Sequence, residues 1–248
     1  MKIITIEECD STNRYITQFE PTAEGVIVMA SSQTAGRGQR GNSWEAEPGK
    51  NLSFSAMWVP ENFAATDQFA ISEAVALAVV DTLSESGIST KIKWPNDIYV
   101  VDRKICGILI EHSLTGSTIS RTIAGVGINV NQKKFVSDAP NPISMCQITG
   151  KDTDLHPLME RYADYLENRL QLIATAEGRR KIHTEFQQNM WRYDNKPYPF
   201  RERASDEKFQ GIIRGVESFG FLIVEKCVTG EVRKYAFKEV EFLLSEGI

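Results

Sequence analysis

The sequence predicts an α+β chain, with a large domain over residues 1–194 and a small all-β unit over 195–248. Three observations carry this prediction. Short β-type runs recur between residues 3 and 130, separated by polar corners and loops. Long stretches with apolar residues at helical spacing lie among and after them. At Asn195-Lys196-Pro197 the texture changes to short strand candidates parted by Gly and charged turns.

The elements follow in order. Ile3-Ile4-Thr5-Ile6 reads as a strand, and Asp10-Ser11-Thr12-Asn13 as a helix start. Gly25 to Ala30 has the composition of a buried strand. Asn51 to Trp58 alternates apolar and polar residues, as a half-buried strand does. Asp67 to Leu83 is alanine-rich and apolar over most of its circumference, which suits a helix packed on a sheet. Lys91 to Val100 is a strand broken by Pro95, and Asp102-Arg103 signals a hairpin into a return strand, Lys104 to Glu111. Thr118 to Val130 is another strand, and residues 131–142 form a polar loop. Thr149 to Asp152 opens a helical region, with helices over Asp154–Ile173 and Gly178–Trp191. In the tail, Gln210–Val216, Gly220–Glu225 and Glu231–Ala236 are strand candidates that suggest a small β-barrel leaning on the larger domain.

Composition narrows the function classes. The 248 residues carry 42% hydrophobic and 25% charged side chains, with a formal net charge of −5. That balance does not favour a nucleic-acid-binding protein. No stretch approaches the roughly 18 apolar residues of a membrane span, and the N-terminus turns acidic before a signal sequence could form. Cys9, Cys106, Cys146 and Cys227 form no CxxC pair, so neither a zinc site nor a disulfide framework is expected, and a reduced cytoplasmic setting follows. His112, His156 and His183 lack metal-ligand spacing and read as surface or packing residues.

One stretch organises the chemistry: Gln33-Thr34-Ala35-Gly36-Arg37-Gly38-Gln39-Arg40-Gly41-Asn42-Ser43-Trp44. Glycines let a ligand approach the backbone, successive N–H groups can cradle an anion, and arginine forks fit carboxylate or phosphate oxygens. A solvated turn would also account for it. The segment is neither a Walker A loop nor a dinucleotide fingerprint. Ser11, Thr12 and Asn13 suit either helix capping or a ligand's polar edge. Asn96 and Asp97 after Pro95 suit either a plain turn or a site where Asn96 reads a nucleotide and Asp97 handles a cation or a proton. Lys104 is a solvated strand end or a point charge aimed into a pocket. Gly125 and Gly127 weaken their strand unless something approaches closely. Asn129 stands in apolar company and needs hydrogen-bond partners.

These blocks, in this order, resemble the biotin protein ligase family. The match rests on Asp10-Ser11-Thr12-Asn13, the Gln33–Gly41 loop, Lys93-Trp94-Pro95-Asn96-Asp97, Lys104 to Glu111, and Gly125-Val126-Gly127-Ile128-Asn129-Val130. The resemblance implies a catalytic domain with a mixed sheet and flanking helices, related to class II aminoacyl-tRNA synthetases, and an SH3-like C-terminal domain. It implies an enzyme that joins biotin to ATP as biotinyl-5′-AMP, with Mg²⁺, and passes biotin to a lysine of a carboxylase's biotin carboxyl carrier domain. The family's biotin site maps to Ser11, Thr12, Asn13, Gln33, Arg37, Gly38, Gln39 and Lys104. Its nucleotide contacts map to Arg40, Asn96, Asp97, Lys104 and Asn129, with Trp44 closing the loop over the adenylate. Lys104 and Arg37 would neutralise the reacting anions, and Asp97 would orient the acceptor amine. Metal ligands are unassigned, and monomer and homodimer both stay open.

Two departures stand out. Many family members carry Arg where this chain has Gln39, and often Arg at Asn42; the reduced charge implies looser retention of the intermediate. Some members carry an N-terminal DNA-binding domain, and this sequence leaves no room for one before Cys9, so a monofunctional enzyme is expected. The competing readings are a lipoate ligase-like enzyme and a non-catalytic biotin-binding regulator.

Overall fold

The computed structural model describes residues 1–39, 42–137 and 141–244. Its larger sheet has seven strands. β1 (Lys2–Cys9) pairs parallel with β2 (Val26–Gln33). Beyond them β3 (Leu52–Trp58), β7 (Thr118–Ile128), β6 (Arg103–Thr115), β5 (Asp97–Val100) and β4 (Lys91–Lys93) follow as antiparallel neighbours. The sheet is mixed, as expected. Three helices pack on it: α2 (Gln68–Glu85), α4 (Leu155–Ile173) and α5 (Ala176–Gln188). Arg169 of α4 ties them together, donating to Asp81 of α2 at 2.9 and 3.0 Å and to Glu185 of α5 at 2.6 Å.

The two faces of this sheet differ. Phe54, Val126 and Ile108 lie in one cross-strand row and belong to the main apolar core, where Phe54 meets Tyr162 of α4 at 4.8 Å between ring centroids. Residues one step along each strand point the other way. At one end of that second face, α1 (Thr12–Tyr15) and a 3₁₀ turn (Ile16–Gln18) cover Val26, Val28, Met57 and Ile123. The rest of the face is open to a cleft.

A second sheet, all antiparallel, is formed by β8 (Tyr198–Glu202), β9 (Lys208–Val216), β10 (Leu222–Lys226), β11 (Val232–Tyr235) and β12 (Val240–Phe242), in the order β11-β10-β9-β8-β12. It is consistent with the SH3-like expectation. The two units touch closely. Trp94 Nε1 donates to Gly220 O at 3.0 Å, Arg192 donates to Leu243 O at 2.9 Å, and the Trp191 and Phe242 rings lie 5.9 Å apart.

The structure corrects several expectations. β3 is buried along its whole length, not on alternate residues, because its polar side faces the cleft rather than bulk solvent. β2 runs on to Gln33, so the strand itself carries a site residue into place. Thr149-Gly150 closes a helix instead of opening one: α3 (Met145–Thr149) starts with a Ser144–Gln147 capping box and ends at Gly150 in the left-handed region, φ 73°. The following helix is capped by Asp154, which accepts from His156 N–H at 3.2 Å. β8 and β12 were not anticipated from the sequence.

Candidate active site

The cleft floor is made by what the sequence leaves out. Lys93, Asp97, Gly107, Gly127 and Ser53 form one row across β4, β5, β6, β7 and β3. Leu109, Gly125 and Ser55 form the next row on the same face. The three glycines open a trough that other groups enter. A Cβ at Gly125 would stand 2.1 Å from Asn13 Oδ1, and one at Gly127 would stand 2.3 Å from Trp44 Cε2. A Cβ at Gly107 would meet Trp44 Cζ3 at 2.9 Å. Gly125 and Gly127 are therefore required by close approach, one of the readings open from the sequence.

At one end of the trough Ser11, Thr12 and Asn13 are all buried. Ser11 occupies the helix N-cap, but no side chain caps α1. The capping reading of these residues is thus corrected: the polar groups of Thr12 and Asn13 turn toward the sheet. Gln33 Oε1 accepts from Thr12 N–H at 2.8 Å and from Thr12 Oγ1 at 3.2 Å. Ser55 Oγ lies 2.8 Å from Thr12 Oγ1 and 2.6 Å from Asn13 Oδ1. Asn13 Nδ2 donates to Glu111 Oε2 at 2.8 Å, and Arg37 lies 3.6 Å from the other oxygen of that carboxylate. One polar network therefore joins the helix start, β2, β3, β6 and the glycine loop.

The loop folds back on itself. Gly38 N–H donates to Asn42 O at 2.7 Å, and Trp44 N–H donates to Gly36 O at 3.0 Å. This lays the Trp44 ring over the glycine floor, 5.7 Å from the Lys104 ammonium. Arg40 and Gly41 lie outside the described residues, so the site expected for Arg40 is not among them.

At the other end, Lys104 Nζ pairs with Asp97 Oδ1 at 2.6 Å, both side chains mostly covered. Lys104 is thus a charge turned into the cleft, not a solvated strand end. Asn96 is held to β6 by reciprocal bonds with Ile108: Ile108 N–H donates to Asn96 O at 3.1 Å, and the Asn96 amide donates to Ile108 O. Asn129 donates to Ile143 O at 3.1 Å and to Lys104 O at 3.4 Å, while its own Oδ1 is buried without a partner among the described residues. Trp44 Nε1 and Gln39 Oε1 are in the same condition. Buried polar atoms are normally paired. Such unpaired atoms around one cleft leave donors and acceptors for a ligand.

The cleft has a volume of about 1440 Å³. It brings together Ser11, Thr12, Asn13, Gln33, Arg37, Gly38, Gln39, Trp44, Asn96, Asp97, Lys104 and Asn129, every sequence-selected residue that the structure describes. Sequence reasoning missed Lys93 as part of it, and missed Ser55 as the buried residue that supports Thr12 and Asn13 from behind. The alternation in β3 signalled Ser55, but it read as a solvent face.

A sequence model of the Biotin/lipoate A/B protein ligase family matches residues 6–129, which include every block named above except the last residue of the fifth. The bifunctional ligase/repressor BirA of Salmonella typhimurium is 31% identical over 224 residues, covering 88% of this chain and 67% of that protein. The chain belongs to the biotin/lipoate A/B protein ligase family. Within this ligase family, the biotin–[acetyl-CoA-carboxylase] ligase of Paracoccus denitrificans is 28% identical, covering 87% of this chain and 90% of its own. In fold, the ligase resembles the Aquifex aeolicus biotin protein ligase solved with biotin and ATP. The TM-score is 0.81 at 24% identity, over 98% of this chain and 99% of the other. The expected family and fold are borne out.

Proposed function

We propose that this chain is a biotin protein ligase that forms biotinyl-5′-AMP and pyrophosphate from biotin and ATP, then biotinylates one lysine of a biotin carboxyl carrier domain. The observation that carries this reading is the single trough with polar hydroxyls and amides at one end and Lys104 with Asp97 at the other. The ureido ring of biotin is neutral and dense in donors and acceptors. Ser11, Thr12, Asn13 and Gln33 present matching groups, with Ser55 holding Thr12 and Asn13 from behind, and a site built to pair such edges rejects acids that lack them. The aliphatic tail would then run along the glycine trough, where the Trp44 ring rests against Gly107 and Gly127 and would have to lift from the floor to admit it. Its carboxylate arrives at Lys104 and Arg37.

In the first step a biotin carboxylate oxygen attacks the α-phosphorus. An O–P bond forms, the bond from the α-phosphorus to the bridging oxygen breaks, and the electron pair leaves on pyrophosphate. Two anions must meet, so the cations of Lys104 and Arg37 supply most of the stabilisation, and positioning supplies the rest. Asp97 fixes the Lys104 ammonium at the point of reaction. Asn96 and Asn129 would hold the nucleotide, the latter through its unpaired Oδ1. Trp44 would exclude water from the labile mixed anhydride. In the second step the neutral acceptor amine attacks the biotinyl carbonyl, a C–N bond forms, the acyl C–O bond breaks with its electron pair leaving on AMP, and the nitrogen gives up a proton to solvent. Asp97 is assigned to orient that amine.

The described residues contain no group of three or more His, Cys, Asp or Glu side chains able to hold a metal ion. Mg²⁺ commonly binds through phosphates and one or two carboxylates, and Asp97 is the carboxylate that would meet it here. No step is routed through it.

No helix among the described residues is long and apolar enough to cross a membrane. A cytoplasmic enzyme that binds no DNA, with its domain boundary at 194/195, completes the proposal. Incubation with biotin, Mg-ATP and a carrier domain, read by mass spectrometry, tests it. One biotin is expected on the carrier, lost in Lys104→Ala. Modification by lipoate in place of biotin would transfer the assignment to the lipoate branch.

A further inference from the structure

Trp44 has to lift from the glycine floor to admit biotin, and it must return to shield the adenylate. The residue that follows it, Glu45, is half-buried. Among the described residues its carboxylate meets no cation. It accepts from Val136 N–H at 2.9 and 3.2 Å, through both oxygens, from Ser137 N–H at 2.8 Å, and from Gln132 Nε2 at 2.9 Å. Burial alone would raise the Glu45 pKa. Hydrogen bonds from Ser137, Val136 and Gln132 outweigh burial and hold the carboxyl below its ordinary range, so it is ionised at neutral pH.

Gln132 is the pedestal of this arrangement and is buried. Its Oε1 accepts from Glu47 N–H at 2.9 Å and from Asn51 Nδ2 at 2.5 Å, while its Nε2 donates to Lys134 O at 2.9 Å as well as to Glu45. Asn51 Oδ1 in turn accepts from Val130 N–H at 2.9 Å. Every donor and acceptor position of the Gln132 amide is used, which fixes its orientation. One chain of bonds thus joins the arm at residues 44–47 to the segment that leaves β7, residues 129–137. The outer part of that segment has little else to hold it. Lys133, Lys134, Val136 and Ser137 are exposed, and no other described group accepts from the Val136 and Ser137 amides. Yet Phe135 and Val136 line the cleft together with Asn129. A plain brace would tie this wall to a fixed part of the fold. Glu45 ties it to the arm that has to move.

Resting on the ligase reading, we infer that Glu45 is a positioning residue whose carboxylate clasps the Trp44 arm to residues 132–137, so that closure over biotin brings the wall beside Asn129 into place with it. Ordering the arm then lowers the cost of ordering the wall, and binding at the two ends of the cleft is coupled through one side chain. The clasp is made of backbone N–H donors, so it depends on the carboxylate of Glu45 and not on the side chains at positions 136 and 137.

Amide hydrogen exchange read by mass spectrometry tests this on the full chain. Without ligand, Glu45→Ala should speed exchange at Val136 and Ser137 by roughly tenfold to a hundredfold, the range for losing charge-assisted bonds. Biotin should slow exchange in wild type both in the peptide carrying Trp44 and in the peptide carrying residues 133–137. In Glu45→Ala it should slow only the first, and Glu45→Gln, which keeps one acceptor oxygen, should lie between. Calorimetry gives a readout that a purely structural residue would not move. In wild type, biotin should tighten binding of the unreactive ATP analogue with a methylene group between its α- and β-phosphates, by roughly fivefold or more. Glu45→Ala should lose most of that gain and keep the biotin affinity of the nucleotide-free protein. Equal biotin-driven protection of residues 133–137 in wild type and Glu45→Ala overturns the clasp, as does unchanged ligand-free exchange at Val136 and Ser137. Failure of wild type to bind biotin counts against the ligase reading instead, and the ligand-free comparison still decides whether Glu45 holds the segment.

Discussion

The two faces of the seven-stranded sheet are built from the same strands and do opposite things. On the helix side, Phe54, Val126 and Ile108 stand in a row and are covered by α4 and its neighbours. On the other side, one residue along, the same three strands present Ser53, Gly127 and Gly107. One face maximises apolar area removed from water, and the other gives up side chains to leave a trough. The comparison teaches that β3, β6 and β7 encode stability and ligand recognition on alternate residues. Substitutions one position apart should therefore have separable effects.

The largest separation is expected between Phe54→Ala and Gly127→Val. Removing the Phe54 ring from its contact with Tyr162 should cost about 3–5 kcal/mol of stability, read from urea unfolding. Biotin affinity of the remaining folded protein should be unchanged. Gly127→Val should do the reverse. Its side chain would occupy the place of the Trp44 ring. Adenylate retention should fall by about a hundredfold or more, equivalent to about 3 kcal/mol, with a smaller effect on unfolding because Trp44 sits on a loop that can move aside. Equal losses of stability and affinity in both variants would merge the two faces into one structural unit.

Ser55→Ala sharpens the polar end. It leaves Thr12 Oγ1 and Asn13 Oδ1 short of a partner and should weaken biotin binding by about 1–3 kcal/mol, measured by titration. Gln39→Arg restores a charge that many family members have. It should slow adenylate dissociation by up to about tenfold, and a rate equal to wild type would remove Gln39 from the retention argument.

The smallest effect lies on the helix side. His183 of α5 shares a 2.6 Å contact with the buried Glu73 of α2. Hydrogen bonding to Glu73 raises the His183 pKa above its ordinary 6.5, and burial raises that of Glu73. Both groups hold protons more tightly folded than unfolded. Their contribution is therefore lost as pH rises, for His183 above about 6.5 and through its raised value. The thermal midpoint should decline over that window in wild type, and the decline should flatten in His183→Gln. Site affinity should follow neither trend.

How much of this was legible depends on range. The strand containing Val26 to Ala30, the alanine-rich helix and the helices after residue 154 are marked by local composition and period, and they stand close to where the sequence puts them. β8 and β12 are short, and β8 carries Pro199. They are neighbours in the sheet, but their pairing, Phe200 to Phe242, joins residues 42 positions apart in the chain, so no local pattern marks them. The polar side of β3 looked like a solvent face because alternation reports only that two faces differ. The meaning of Ser53 and Ser55 depends on Asn13 and Trp44, which arrive from elsewhere in the chain.

By itself, then, the sequence determined the residue types: hydroxyls and amides before the first helix, a glycine loop with Arg37, a Lys-Trp-Pro-Asn-Asp corner, Lys104 and the paired glycines. Those follow from chemistry that acts over a few residues, through turn geometry, strand period and charge. Only the tertiary structure decided that Thr12 and Asn13 turn from capping to the sheet, that Asp97 holds Lys104, and that Lys93 faces the same cleft within an aromatic setting. Each of these is set by a pairing register or by a contact between segments far apart in the chain, and such pairings are fixed by burial of the whole sheet rather than by any one stretch of it.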